Sequence, residues 1–386
     1  AYIVDESLIS GKTAPNIENV QGLKNALNQV LNGSGLEATI EKGTIIIEKS
    51  VIIVVVFALT MLMAMYSTWA ERKVAAWLQD RVGPNRAGPF GLLQPLADGL
   101  KLFSKEEITP KDSNKFLFIL GPSLAMIVAC MTGAVIPWST AFEIGDRVVV
   151  PQIADVNIGF LYILGVLSLG VYGIMIGAWA SNNKYSLMGG LRAASQIISY
   201  ELPMGIVLIT ILMMTGSLKL SDIVHYQQEH AWFILLQPLG FIIFLVCSFA
   251  ETNRTPFDLP EAENELIGGY HSEYSSMKMG FFLFAEYINM FISSVVISTL
   301  YFGGYDIPFV DDATLVNSIG VNGTAILNFL SLFGKACFFI FFYMWVRWTI
   351  PRFRYDQLMD LGWKKLLPLA LINMLITGLV ILLLNK

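Results

Sequence analysis

Long apolar stretches alternate with shorter polar connections along most of this chain. Eight of the stretches are long enough to cross a hydrocarbon core of roughly 30 Å as α-helices that rise about 1.5 Å per residue. The sequence therefore predicts an all-α integral membrane protein with eight transmembrane helices, at approximately 51–70, 116–138, 157–180, 197–217, 231–250, 279–302, 325–346 and 366–384.

The start of the chain does not follow this pattern. Residues 1–44 are polar and mixed, with one helix-period stretch at 17–31. No positively charged segment precedes a short apolar core, so no cleaved signal peptide is predicted. We expect two parts, a polar N-terminal extension at 1–44 and a membrane domain at 45–386.

Basic residues are distributed unevenly among the connections. The first, third, fifth and seventh connections hold seventeen Lys and Arg residues, whereas the second, fourth and sixth hold two, Arg147 and Lys219. Positive charge favours the cytoplasmic side of a membrane. The distribution predicts cytoplasmic odd-numbered connections, with both termini on the periplasmic side.

Composition agrees with a membrane location and limits the chemistry. The chain is 55% hydrophobic and 14% charged, and its net charge of -5 gives no basic patch for nucleic acid. Its three cysteines lie in apolar segments without paired spacing, and its three histidines lie outside those segments. Haem and iron–sulfur clusters need such ligands. We therefore expect no bound metal or cofactor and no complete catalytic site in this chain alone.

The first connection carries an amphipathic pattern after the turn-rich segment 83–91. A helix that lies in the membrane interface shows this division into an apolar and a polar face, although a helix packed on the bundle would show it too. The apolar side is Leu92, Leu96, Leu100 and Phe103, and the polar side is Gln94, Asp98, Lys101 and Lys105.

The fifth connection is rich in carboxylates between two strongly apolar segments. Clustered acids beside a bilayer are costly to ionise together, so they can take up and release protons. On a helix, Glu261 and Glu265 would share one face and Glu263 would point elsewhere. The alternative is a solvated acidic loop.

Three ionisable residues, Glu201, Glu286 and Lys335, fall within the apolar segments. Each costs roughly 2.5–3.5 kcal/mol to insert near the centre of a membrane, so each needs a partner or a water-filled path. With the acids of the fifth connection they form a staircase that reaches the middle of the membrane, with Lys335 near the midplane. This arrangement predicts a half-path that passes charge sideways to a neighbouring subunit, unless the groups only pair across helices for assembly.

Four sequence blocks resemble one known family. The chain is similar to the H-type membrane subunit of the proton-pumping NADH–quinone oxidoreductase, respiratory complex I. The blocks are ERKVAAWLQDRVGPNRAGPFGLLQPLADGLKLFSKE from Glu71, WASNNKYSLMGGLRAASQIISYE from Trp179, AETNRTPFDLPEAENELIGGYHSEY from Ala250 and PRFRYDQLMDLGWKKLLP from Pro351. They leave residues 1–44 outside the resemblance.

The resemblance implies a subunit of a translocase in the bacterial inner membrane, at the junction with the hydrophilic arm. Quinone would be the substrate, FMN and iron–sulfur clusters would lie in partner subunits, and the lipid bilayer and other complex I subunits would be the partners. The implied quinone-chamber residues are Arg72, Arg81, Asp98, Lys101, Phe257, Arg352 and Arg354. The implied proton-path residues are Glu201, Glu251, Asp258, Glu261, Glu263, Glu265, Glu286 and Lys335.

Other classes of membrane protein remain open. A proton-coupled transporter would also bury acids, but it would show inverted halves with broken helices, and no such internal repeat is visible. A structural anchor would not need Glu201 and Glu286. The related membrane subunit of an energy-converting hydrogenase is the nearest alternative.

Overall fold

The computed structural model describes residues 44–144, 147–308, 310 and 312–384. The predicted extension at 1–44 lies outside these residues, apart from Thr44. The long helices are α1 (Thr44–Leu78), α3 (Lys115–Thr132), α4 (Gly159–Ala180), α5 (Lys184–Thr215), α10 (Ser276–Tyr301), α12 (Val321–Thr349) and α14 (Leu367–Leu384). The shorter ones are α2 (Gln94–Ser104), α6 (Leu220–Glu229), α7 (Phe233–Leu236), α8 (Pro238–Glu251), α9 (Glu263–Leu266), α11 (Asp312–Ile319) and α13 (Tyr355–Asp360).

Most predicted apolar stretches correspond to long helices. Within the described residues, seven helices are long and apolar enough to cross a membrane, counting α13 and α14 as one helix through the π-helical turn Leu361–Leu366. The fifth predicted stretch differs, because the chain breaks at Gln237 and leaves the 14-residue helix α8. The all-α class is confirmed, and the count of eight crossings stays a prediction.

Local sequence explains where several helices begin and end. The side chains of Asn114 and Asn183 accept hydrogen bonds from the backbone N–H groups of Leu117 and Tyr185, and so cap α3 and α5. Helix α5 ends at Thr215, and the next residue, Gly216, adopts the left-handed conformation that glycine tolerates.

Helices α3 and α4 pack closely at small residues. A Cβ atom on Gly121 would lie 2.7 Å from the Cα atom of Gly177. Small residues allow membrane helices to approach at backbone distance. This contact fixes α3 against α4, beside the candidate site.

The bundle has two ends that differ in structure. The acidic-loop end carries residues 252–275, which connect α8 to α10. The hairpin end carries the antiparallel strands β1 (Phe142–Ile144) and β2 (Arg147–Val149). There the side chain of Asn322 exchanges two hydrogen bonds of 2.7 Å with the backbone of Glu143, which attaches α12 to the hairpin.

The connection between α1 and α3 packs on the acidic-loop end. The hydroxyl of Ser276 donates to the carbonyl of Leu102, and Lys278 forms an ion pair of 2.5 Å with Glu107. In α2, the side chains of Leu96, Leu100 and Phe103 are exposed.

Candidate functional site

Glu71 forms the hub of a buried network at the acidic-loop end. Its Oε2 atom accepts from Arg254 Nη1 at 2.8 Å and from the Tyr287 hydroxyl at 2.9 Å, and its Oε1 atom lies 2.7 Å from Arg347 Nη1. The carboxylate therefore joins α1, the acidic loop, α10 and α12. Arg254 is 3% exposed and lies 4.2 Å above the centre of the Tyr287 ring. Burial alone would lower the pKa of Arg254, but the Glu71 carboxylate raises it above its ordinary value.

The acidic loop lies directly against α5, and a glycine permits the contact. A Cβ atom on Gly189 would lie 2.6 Å from the backbone nitrogen of Tyr270 and 2.8 Å from the carbonyl oxygen of Pro260. Both distances are too short for any residue larger than glycine without movement of the loop. Gly189 therefore sets the position of the loop relative to the bundle.

Asp258 is buried within the loop and lies 2.8 Å from Arg352 Nη2. Burial and the neighbouring Glu261 raise the pKa of Asp258 to about 7, although Arg352, Arg347 and Arg254 act in the opposite direction. Asp258 can therefore exchange a proton near neutral pH.

Glu261 and Glu265 do not share a helical face, which corrects the expectation from sequence. Helix α9 is only four residues long and begins after Glu261. Glu261 points inward, with its Oε1 atom 3.6 Å from His271 Nδ1, whereas Glu265 is exposed and pairs with Arg192 at 2.6 Å. The side chain of Glu263 lies outside the described part of the chain.

Glu286 connects the loop to a cavity between the helices. The hydroxyl of Tyr270, which is 1% exposed, donates to Glu286 Oε1 at 3.2 Å. Glu286, Glu251, Asn253 and Asn289 contribute polar atoms to a cavity of about 40 Å³. A water needs roughly 10–15 Å³, so this space can hold a small group of waters.

Glu251 lines this cavity and also a second one. The second cavity, of about 20 Å³, is also lined by Ser248, Thr252, Asn289, Ser293 and apolar side chains. The Ser248 hydroxyl lies 2.6 Å from that of Tyr343. Glu251 thus stands between two cavities that each have room for water.

Glu201 and Lys335 lie apart from these cavities. Glu201 accepts a hydrogen bond from Ser168, and neither cavity includes it in its lining. Lys335 donates to the carbonyls of Phe302, Gly304 and Asp306, beyond the end of α10. Glu286 precedes Phe302 by sixteen residues, or about 24 Å along a helix. The predicted staircase is therefore interrupted between Glu286 and Lys335.

The expected chamber residues fall into three groups. Arg72 and Asp98 form an ion pair of 2.6 Å that joins α1 to α2. Arg81 and Lys101 are exposed, and Arg354 pairs with the exposed Asp356. Phe257 is buried between Tyr200 and Phe353, with ring centroids 5.4 Å from each, and so packs in the protein core.

Sequence reasoning missed several members of the site. Glu71 lies in the charged run 71–73 and Arg347 lies at the end of an apolar stretch, and most residues at such positions only anchor a helix end. Tyr270 and Tyr287 are neutral, and Asn289 occupies an ordinary helical position. Their juxtaposition depends on the tertiary fold, which sequence spacing does not encode. Among the described residues, no group of three or more His, Cys, Asp and Glu residues is placed to hold a metal ion.

The long apolar helices define a multi-pass helical membrane protein, and its buried carboxylates are of the kind that membrane proteins keep for a function. The NADH dehydrogenase family model matches residues 50–378, and the chain belongs to that family. A second model, the secretin and TonB N terminus short domain, matches residues 2–50.

Curated relatives are named as the H subunit of NADH-quinone oxidoreductase. The protein of Flavobacterium johnsoniae is 66% identical over 337 residues, which cover 87% of this chain and 96% of the relative. That of Flavobacterium psychrophilum is 65% identical over 338 residues, or 88% of this chain and 98% of the relative. An H subunit of Cytophaga hutchinsonii is 63% identical over the same length, with the same coverage of each protein.

The predicted resemblance is thereby confirmed. The chain is a multi-pass inner-membrane subunit of a complex I-type translocase, and other subunits of that complex are its partners.

Proposed function

We propose that this chain forms part of the quinone chamber and the first part of a buried glutamate path that couples quinone reduction to proton translocation. One observation carries the proposal: the Glu71 hub and the loop acid Asp258 lie at the same end of the bundle as Glu286 and its water-sized cavity. A charge change at the chamber can act over this short range on buried carboxyl groups.

The proton path runs from the acidic loop into the bundle. Glu261 and Asp258 lie at its start, the Tyr270 hydroxyl contacts Glu286, and the first cavity connects Glu286 with Glu251. Glu201 is close enough to act electrostatically on Glu251, and we propose that it continues the path from there. Glu265 belongs to the outer surface of the loop, where it pairs with Arg192.

The chamber side of the proposal rests on Arg72, Asp98 and Arg352. The Arg72–Asp98 pair joins α2 to α1, and the exposed apolar side chains of α2 suit a helix that lies in the membrane interface. Such a helix can border an opening through which quinone enters from the lipid bilayer. Arg352 pairs with Asp258 of the acidic loop, at the same end of the bundle.

We further propose eight crossings, with α7 and α8 as the fifth, and a cytoplasmic acidic-loop end. Seventeen Lys and Arg residues in the odd-numbered connections support this orientation. The loop then faces the hydrophilic arm, whose subunits carry FMN and iron–sulfur clusters. The match of residues 2–50 to a separate family supports a distinct N-terminal part, which would lie on the periplasmic side in this orientation.

Glutamate-to-glutamine substitutions test the path, because glutamine keeps size and hydrogen bonding but cannot titrate. We expect Glu286→Gln and Glu251→Gln to assemble and to lose proton pumping in vesicles. Glu229→Gln is the matched control, since Glu229 is exposed at the other end of the bundle. Normal pumping in both assembled variants would refute the path.

Quinone kinetics test the chamber. Asp98→Asn removes the partner of Arg72 and should change the apparent quinone affinity, while the hydrophilic arm should still reduce an artificial acceptor. An assembled variant with unchanged quinone kinetics would refute this part.

A further inference from the structure

Two helices, α8 and α10, have a terminus at the hairpin end of the bundle. Helix α8 has 14 residues and is about 21 Å long, shorter than a hydrocarbon core of roughly 30 Å. Helix α10 ends at Tyr301, and the chain continues as irregular backbone. Helix ends and irregular backbone leave N–H and C=O groups that need partners when they are buried.

One buried amide supplies several of these partners. Gln227, which is 2% exposed, donates to the carbonyl of Thr299 at 3.0 Å. Its Oε1 atom accepts from the backbone N–H groups of Phe233 at 3.2 Å and Gly303 at 3.0 Å. Gln227 thus joins the start of α7 to the end of α10.

Lys335, in the middle of α12, supplies hydrogen-bond donors to three further backbone groups. Its Nζ atom donates to the carbonyls of Phe302 at 2.7 Å, Gly304 at 2.9 Å and Asp306 at 2.5 Å. A lysine ammonium has three N–H donors and no acceptor. All three donors of Lys335 therefore have a backbone partner.

An aromatic ring also contacts this group. The Nζ atom lies 4.6 Å from the centre of the Trp232 ring, whose electron-rich face attracts a cation. The Trp232 indole N–H in turn donates to Asp306 Oδ2 at 2.9 Å. A neutral amine would lose the cation–π attraction and leave a carbonyl without its donor.

Aromatic rings separate Lys335 from the cavities. Phe241 lies 5.4 Å from Tyr301 and 5.5 Å from Phe302, and Phe302 lies 5.1 Å from Phe339, measured between ring centroids. Phe241 is three residues from Phe244, which lines the second cavity. An apolar layer thus lies between the cavity and the fully bonded ammonium.

We propose that Lys335 is a tethered cation that seals the hairpin end against protons, rather than a group that carries them. Its positive charge repels an approaching proton, and its three backbone contacts occupy the positions that a water chain would need. It also acts as a positioning residue, because it holds Asp306, which holds Trp232 beside the start of α7. The inference rests on the proposed glutamate path, since a seal matters only where protons enter the bundle.

The test uses Lys335→Arg and Lys335→Met in the whole complex, reconstituted in vesicles. Arginine cannot release its proton in a protein, so it keeps the charge but cannot relay. Per assembled complex, we would measure protons pumped per quinone reduced and passive proton leak without turnover. Lys364→Met is the control, because Lys364 is exposed and pairs with Asp360 within its own helical segment.

We expect Lys335→Arg to keep the wild-type pumping ratio in tight vesicles. Lys335→Met should raise the passive leak and lower the pumping ratio, while quinone reduction continues. If Lys335→Met does not assemble, Lys335→Gln provides the same two measurements with a neutral side chain.

Two results would overturn the inference. An assembled Lys335→Arg enzyme with tight vesicles and lost pumping would show that Lys335 carries protons. Assembled neutral variants with tight vesicles and an unchanged ratio would show that Lys335 is only a structural contact. Failure of the glutamate path is distinguishable, because Glu286→Gln would then pump normally, without any change in leak.

Discussion

The two ends of the bundle treat buried polar groups differently. Among the described residues, buried ionisable side chains with an atom that has no hydrogen-bond partner include Arg254, Asp258, Glu261 and His271 in the acidic loop and Glu251 where α8 meets it. Ion-pair contacts with Arg352 and between Glu261 and His271 offset part of this lack. At the hairpin end the partnerless atoms belong to the neutral Trp138, Tyr301 and Asn328, whereas Lys335 uses every donor. A partnerless buried group costs about 1–3 kcal/mol. We infer that charged groups with unbonded atoms are kept at the acidic-loop end, where we propose that protons are exchanged, whereas Lys335 at the hairpin end is fully bonded.

We expect the largest effect at the acidic-loop end from removal of the Glu71 charge. Glu71→Gln leaves the buried Arg254 without its counter-charge, and breaking a buried ion pair costs roughly 3–5 kcal/mol. We expect less assembled complex and a lower temperature of thermal unfolding. Glu143→Gln, at the exposed hairpin, is the control and should change neither. If Glu71→Gln assembled and unfolded like the wild type, the Glu71 network would not be needed for the stability of this end.

A smaller effect is expected when the acidic loop is displaced. Gly189→Ala puts a methyl group 2.6 Å from the Tyr270 backbone nitrogen, and such overpacking costs about 1–3 kcal/mol. Coupled quinone reduction should fall, because the Tyr270 hydroxyl moves relative to Glu286. Gly205→Ala in the same helix meets no atom within 4 Å and should be tolerated. Equal activities of the two variants would argue against close docking of the loop.

The sequence predicted the apolar helices and the acids because both follow from local composition. Apolar runs of span length, the acidic cluster and the basic connections are visible without any tertiary contact. The break at Gln237 was missed, because residues on both sides of it are apolar and hydropathy does not register a change of backbone direction. Long helices also extend beyond the apolar runs, as α5 does by starting at Lys184.

The site was predicted less completely than the fold. The acidic residues could be identified from the sequence because a charge beside an apolar run is easy to see. The partner of each carboxyl group could not, because it comes from a distant segment of the chain. Glu71 and Arg254 are 183 positions apart, and Lys335 meets carbonyls about 30 positions earlier in the chain. The sequence therefore assigned Lys335 to the proton path only from its expected depth in the membrane. The structure shows that its ammonium group contacts three backbone carbonyls.

A third substitution tests whether the stability of the acidic-loop end depends on pH. The pKa of Asp258 is raised to about 7, first by burial, so the folded protein favours its protonated form. That contribution to stability is complete below the ordinary carboxyl pKa and is lost as pH rises through about 7. Asp258→Asn removes the titration.

The wild-type unfolding temperature should therefore fall relative to that of Asp258→Asn between pH 5 and pH 8, if both are measured in the same detergent. Asp360→Asn, an exposed acid at the same end, should follow the wild type. Parallel curves for Asp258→Asn and the wild type would mean that Asp258 does not titrate in this range.

The smallest effect is expected from Arg354, although the sequence grouped it with Arg352. Arg352 reaches the buried Asp258, whereas the side chains of Arg354 and Asp356 are 70% and 59% exposed and pair only two residues apart. Exposed pairs of this kind contribute little, because water and salt screen them. Arg354→Ala should therefore leave stability and apparent quinone affinity unchanged, while Arg352→Ala should alter the affinity and the pH profile set by Asp258. Quinone kinetics of the two assembled variants, measured over the same pH range, compare an exposed with a partly buried arginine. A larger effect from Arg354→Ala would place the chamber on the outer side of α13, away from Asp258.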